Sequence, residues 1–197
     1  MWDDVTATAL PEHVDAVIAL ALAAGPRCGD TVVVAVDGPS GSGKTTLALG
    51  VRDALAERTG GEVGLVHMDE IYPGWEGLAA APGLLAEQVL APLSQGEAAV
   101  HRLWSWVRDT WVGIRVVPPV PLLVVEGCGS SVGAARPYVA VAVFVEADRD
   151  LRRARGLARD GAAYEPHWDR WAAQEAELFA GDRTRRCADL VVDTSSL

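Results

Sequence analysis

Lysine is almost missing from this chain. Of its 17 basic residues, only Lys44 is lysine and the rest are arginine. Cysteine is scarce as well: Cys28, Cys128 and Cys187 lie far apart, form no CxxC pair and are odd in number. That pattern excludes a disulfide framework and fits a reducing, cytoplasmic setting. Positive charge is in short supply overall, with a formal net charge of −10. A surface that acidic repels nucleic-acid backbones, so no nucleic-acid partner is expected and only a local basic pocket remains open to a phosphate group. Long hydrophobic runs are missing too. The stretch Val14–Ala24 is too short to span a bilayer and carries Asp15. Asp3 and Asp4 give the N-terminus the wrong sign for a signal peptide. No membrane partner is expected.

Half of the residues are hydrophobic and 22% are charged, the profile of a globular domain. No repeat, low-complexity tract or linker divides the sequence. It reads as one domain over 1–197, with an N-terminal helical extension over 1–29 and a helical, lid-like region over about 148–180. Pro11 and the stripe Val14, Val17, Ile18, Ala21, Leu22 predict a helix that Gly25-Pro26 stops. Thr31–Val36 is a short β-branched run suited to a strand buried on both faces. A Gly/Ser loop and a helix over 45–58 follow, closed by Gly60-Gly61. Further strands are predicted over 63–68, 122–125, 138–145 and 190–192, and helices over 84–93, 148–159 and 166–180, with Asp148 as an N-cap. Residues 70–83 read as a loop, and 96–119 carry no clear period. Alternating strands and helices predict an α/β fold, a parallel sheet covered on both faces.

The segment Gly38-Pro39-Ser40-Gly41-Ser42-Gly43-Lys44-Thr45 fits G-x-x-x-x-G-K-[ST] at every fixed position, directly after a predicted strand and before a predicted helix. The residue types follow from the task. Glycines let successive N–H groups converge on one anion, and the helix N-terminus adds free donors and a partial positive charge. The lysine would reach β- and γ-phosphate oxygens, and the Thr45 hydroxyl would bind Mg²⁺. Arginine, a broad planar fork, does not replace an ammonium there, so the single lysine falls in the one slot that requires it. Together with Thr46, residues 38–46 are the candidate nucleotide site, with ATP and Mg²⁺ as the expected cofactors.

Ligands of open α/β sheets sit beyond the carboxyl ends of the strands. Past the second strand lie Asp69, a candidate base for an attacking hydroxyl, and Glu70, a second choice. The alternative for Asp69 is a turn cap. His67 reads as an ordinary strand residue. The third strand ends in Glu126, a candidate Mg²⁺ ligand or a cap. Among Arg149, Arg152, Arg153, Arg155 and Arg159, helical spacing groups Arg152, Arg155 and Arg159. Arg155 and Arg159 are the candidates for clamping a transferring phosphoryl group, and a solvated helix surface is the plain alternative. Seven tryptophans stand against two phenylalanines. Trp75, Trp104 and Trp106 are candidate walls for a planar or sugar substrate, Trp104 and Trp106 sharing a face if their segment is extended, unless they serve as core or lid packing. Arg102 and Arg108 could orient the acceptor. Trp168 and Trp171 read as anchors of the last long helix.

The stretches Val34–Thr46, Asp69-Glu70-Ile71-Tyr72, Val125-Glu126-Gly127, Arg152–Asp160 and Ala188–Val192 together resemble the uridine kinase-like branch of the P-loop small-molecule kinases. That resemblance implies a three-layer α/β/α P-loop NTPase fold, a five-stranded parallel sheet of order 2-3-1-4-5 and a mobile helical lid. It also implies Asp69 as base, with Tyr72 near the acceptor. Two departures are visible, the first being a short lid without a clear arginine–glycine–arginine signature. Where uridine kinases carry an acidic residue between two aromatics, this chain has Trp104-Ser105-Trp106.

The expected activity is therefore transfer of the γ-phosphate of ATP to a hydroxyl of a nucleoside-, sugar- or vitamin-like molecule, by a monomer or homodimer. Two alternatives stand beside it. A nucleoside monophosphate kinase would use Arg102, Arg108 and Arg115 to grip an acceptor phosphate. An ATP-binding switch would turn over no small molecule.

Overall fold

The computed structural model describes residues 8–196, so Asp3 and Asp4 lie outside the described residues. Five parallel strands form the central sheet: β1 (Val32–Asp37), β2 (Val63–His67), β5 (Leu122–Glu126), β6 (Val139–Glu146) and β7 (Leu190–Asp193). Their order across the sheet is β2-β5-β1-β6-β7. Counted within this sheet alone, that is 2-3-1-4-5. The labels differ because two strands the sequence did not reveal, β3 (Ala99–Ser105) and β4 (Thr110–Val117), intervene and pair only with each other.

The β-branched runs explain the layers. Side chains alternate across a strand, so β1 and β5 feed two cores at once. Val34, Val36 and Val124 pack on one face against α1 (Pro11–Ala23) and α2 (Lys44–Thr59), through Val17, Ile18, Val51 and Leu55. Val33, Ala35, Leu123 and Val125 face the other way, against Leu85, Val89, Trp168 and Trp171. Leu85 and Val89 belong to a helical run made of α3 (Ala81–Leu85), a π-helical turn over Ala86–Leu90 and α4 (Ala91–Ser94). The wide turn accommodates Pro92, which has no N–H to donate to the turn before it. Trp168 and Trp171 lie on α6 (Trp168–Asp182), and both are buried as anchors of that helix. Ahead of it, α5 (Arg149–Asp160) packs so closely that a Cβ on Gly156 would stand 3.1 Å from the Trp168 ring.

Helix ends match their signals in part. Pro11 occupies the first turn of α1, and Gly60 closes α2 in the left-handed conformation, at φ 65°. Asp148 precedes α5 but its side chain makes no capping bond; its backbone N–H donates to Ser195 Oγ instead. The β3–β4 hairpin escaped the sequence reading because it is only half covered. Ala99 and His101 point inward, whereas Val100, Val112, Ile114 and Val116 are exposed, so apolar residues do not mark the buried face. Pro118-Pro119 follows β4 rather than breaking it. No helix among the described residues is long and apolar enough to cross a membrane.

Candidate active site

The loop between β1 and α2 is bent by Gly38, Gly41 and Gly43, at φ 132°, 77° and 90°. At Gly41 the demand is double, since a Cβ there would lie 2.1 Å from the Arg152 carbonyl oxygen. Lys44 opens α2, is buried, and its Nζ donates to the Pro39 carbonyl at 2.9 Å. Burial works against its charge. The acids around it, Cys128, Glu175, Glu126 and Asp69, outweigh that and hold its pKa above the ordinary lysine value. The Ser42 hydroxyl is buried without a partner, a donor left open inside the curled loop.

Because β5 lies beside β1, Glu126 ends level with Val36 and close to the loop. Thr45 Oγ1 donates to its Oε2 at 3.2 Å, so the two candidate Mg²⁺ ligands converge. The other carboxylate oxygen meets His67 Nδ1 at 2.7 Å. His67, read as an ordinary strand residue, thus orients a candidate ligand from the neighbouring strand β2. Among the described residues no cluster of three or more His, Cys, Asp or Glu side chains forms a metal site. A cation held by Thr45 and Glu126 would take its remaining oxygens from phosphate and water, the usual habit of Mg²⁺.

Asp69 sits in the 3₁₀ turn Met68–Glu70 after β2. The amides that follow it, of Ile71 and Tyr72, donate to the Met68 carbonyl, so backbone rather than the Asp69 carboxylate closes this turn. Asp69 lines a cavity of about 580 Å³ that it shares with Ser40, Arg159, Trp75, Trp106, Tyr164, His167 and Trp171. Burial, then the charge of Glu126, raises its pKa to about 6, against the pull of Arg159 and Lys44. Glu70 leaves the site: Arg115 Nη2 donates to it at 2.6 Å, and His101 Nε2 lies 3.9 Å from its other oxygen.

No family model matches the sequence, and no curated protein matches it. Solved structures do. A possible uridine kinase from Bacillus stearothermophilus superposes with a TM-score of 0.69 at 22% identity, covering 92% of this chain and 98% of that one. D-glycerate 3-kinase from Cryptococcus neoformans superposes with a TM-score of 0.56 at 14% identity, covering 92% and 93%. This chain has the P-loop kinase-like fold.

Within that P-loop kinase-like fold the expected site residues divide. Lys44, Thr45, Glu126 and Asp69 come together, and Arg159 reaches the cavity from the end of α5 beside Asp160, to which it donates. Arg155 does not line the cavity; it donates to the Thr194 hydroxyl and carbonyl at 3.1 and 3.0 Å, tying α5 to the chain after β7. Tyr72 lies behind the wall, buried, its hydroxyl donating to the Cys128 carbonyl at 2.9 Å. Trp75 and Trp106 are on the wall, 4.6 Å apart between ring centroids. Trp104 is not. β3 ends at Ser105, so the alternation that would have put Trp104 and Trp106 on one face does not extend to Trp106. Trp104 packs edge-on against Trp111 instead, and the Arg102 guanidinium stacks 4.4 Å above the same Trp111 ring.

Several residues around this site were missed. Asp37, fully buried at the end of β1, accepts the N–H groups of Gly38, Gly129 and Ser131 and the Ser131 hydroxyl, stapling the phosphate loop to the turn after β5. Tyr164 and His167 line the cavity from the connection between α5 and α6, where they stack on Trp75. Glu175 is 2% exposed on α6 and accepts the Ser40 N–H at 2.7 Å. Its signal was visible: a carboxylate four residues after Trp171 falls on the buried stripe of that helix.

Proposed function

We propose that this protein is a kinase that transfers the γ-phosphate of Mg-ATP to a hydroxyl of a small molecule with a flat, largely apolar body. The observation that carries the reading is one cavity: Asp69, Arg159 and the phosphate-loop residue Ser40 share its wall with four or more aromatic rings. Such a cavity suits a planar ring held by stacking, with few polar contacts.

The chain's own groups account for the chemistry. The acceptor hydroxyl gives its proton to the Asp69 carboxylate as its oxygen bonds to the γ-phosphorus. The bond from that phosphorus to the β–γ bridging oxygen breaks, and ADP leaves with the electron pair. Lys44 and the loop amides hold the phosphates, and Arg159 meets charge on the transferring group. Bound through Thr45 and Glu126, Mg²⁺ supplies neutralisation of phosphate charge. A carboxyl with a pKa of about 6 is ionised at neutral pH and still basic enough to accept a proton.

A hydroxyl acceptor is favoured over a phosphate. Asp69 lines the cavity, and none of Arg102, Arg108 and Arg115 does: Arg115 pairs with Glu70 and Arg102 lies on Trp111. An ADP-release screen over nucleosides, sugars and vitamin-like alcohols tests the proposal. Release stimulated by one class of alcohol, and lost in Asp69→Asn, is expected. Nucleotide binding with no acceptor-stimulated release in any class would favour a switch protein instead.

A further inference from the structure

Ser40 is the third residue of the phosphate loop, and both of its backbone polar groups are engaged from the lid side of the molecule. Its N–H donates to Glu175 Oε1 on α6 at 2.7 Å. Its carbonyl accepts from Arg152 Nη1 on α5 at 3.1 Å. Its hydroxyl lies 3.9 Å from Cys128 Sγ, after β5. The two charged partners face each other, Arg152 Nη1 standing 3.8 Å from Glu175 Oε2, with both side chains largely buried. Cys128 Sγ donates to Glu175 Oε1 at 3.0 Å, and Arg152 Nε donates to the Ala147 carbonyl at 3.1 Å. Glu175 and Arg152 are not on the cavity wall.

Peptide planarity turns these contacts into directions. In a trans peptide the N–H and C=O point opposite ways. The plane joining Pro39 to Ser40 is held at both ends, by Glu175 on the N–H and by Lys44 Nζ on the Pro39 carbonyl. The plane joining Ser40 to Gly41 is held at its carbonyl by Arg152. The Gly41 N–H must then point away from Arg152, and it donates to no backbone carbonyl among the described residues. The buried pair thereby sets the aim of a loop amide, and the close seat of the Arg152 carbonyl on Gly41 fixes the distance.

We infer that Glu175 and Arg152 are positioning residues for the nucleotide: by holding the two peptides around Ser40, they aim the Gly41 amide at a phosphate oxygen and seat on the loop the helix that carries Arg159 and the connection that carries Tyr164. The inference rests on the phosphate-loop reading above but not on the identity of the acceptor. It also changes the role of Ser40, whose own N–H is committed to Glu175 rather than left for phosphate.

Calorimetric titration of the full chain with Mg-ADP and with Mg-ATP, alongside thermal melts, tests it. Glu175→Ala and Arg152→Ala should each weaken nucleotide binding about tenfold or more at a temperature where both remain folded, as loss of one charge-assisted hydrogen bond implies. Glu175→Gln keeps an oxygen for the Ser40 N–H and should stay within about threefold of wild type. The double alanine variant should be no weaker than the worse single, because the two act as a pair on the adjoining peptides of one residue, Ser40. If Glu175→Ala does not fold, Arg152→Ala and Glu175→Gln carry the comparison. Alanine variants that melt lower yet bind nucleotide as the wild type does would reduce the pair to a packing role and overturn the inference. No heat with the wild-type protein would instead refute the kinase reading itself.

Discussion

Replacing Asp69 with asparagine should slow phosphoryl transfer and, at neutral pH, stabilise the fold. The two effects share one cause. Burial and the nearby Glu126 charge lift the Asp69 pKa from 3.8 to about 6. A raised carboxyl pKa means that the folded protein resists the charged form. The associated stability is fully present below the unfolded value near 4, is lost as pH rises through about 6, and leaves a constant penalty above that. At about 1.4 kcal/mol per unit, the penalty is about 3 kcal/mol, and solvent on the cavity side trims it toward about 1–2 kcal/mol. Asparagine removes the charge with nearly the same shape. Melting at pH 8 should therefore rise by about 2–8 °C for a chain of this length, and the gain should vanish at pH 4. Activity should move the other way, falling by about 10²–10⁴ as the proton acceptor is lost. In the wild type kcat/KM should climb with pH through about 6 and level off; in the variant that limb should be gone. Nucleotide affinity, measured by calorimetry, should hardly change. A variant that melts lower at pH 8, or turns over within threefold of wild type, would refute the reasoning, because it would make Asp69 a turn-stabilising residue.

Other perturbations separate the remaining parts. Lys44→Ala should weaken Mg-ATP binding about 10–100-fold by calorimetry, the worth of one hydrogen bond to a charged group, while leaving the melting curve recognisably cooperative. Glu126→Gln should raise the Mg²⁺ concentration needed for half-maximal turnover about tenfold, read from a metal titration of activity, because one of the two converging oxygens loses its charge. Trp168→Ala, at a site 1% exposed between α5 and α6, should cost about 3–5 kcal/mol in denaturant unfolding.

Local chemistry wrote the phosphate loop into the sequence. Glycines at bends with positive φ, a helix start and a lone lysine have meaning within eight residues, so the loop needed no tertiary partner to be legible. The parallel strands were equally plain, since burial on both faces demands an unbroken apolar run such as Val32–Val36. Sequence also placed Asp69 and Glu126 at strand ends. It could not choose between Asp69 and Glu70, because that choice depends on Arg115, 45 residues away, drawing Glu70 aside. The hairpin of β3 and β4 was hidden because only a few of its side chains are buried. Which tryptophans face the cavity was settled by where β3 ends, at Ser105 just before Trp106, and no one-dimensional pattern carries that. Most of all, the pairing of Arg152 with Glu175 around Ser40 belongs to tertiary structure alone. A buried ion pair between two helices and a loop depends on where three separate segments meet, whereas each sequence window holds one partner at a time.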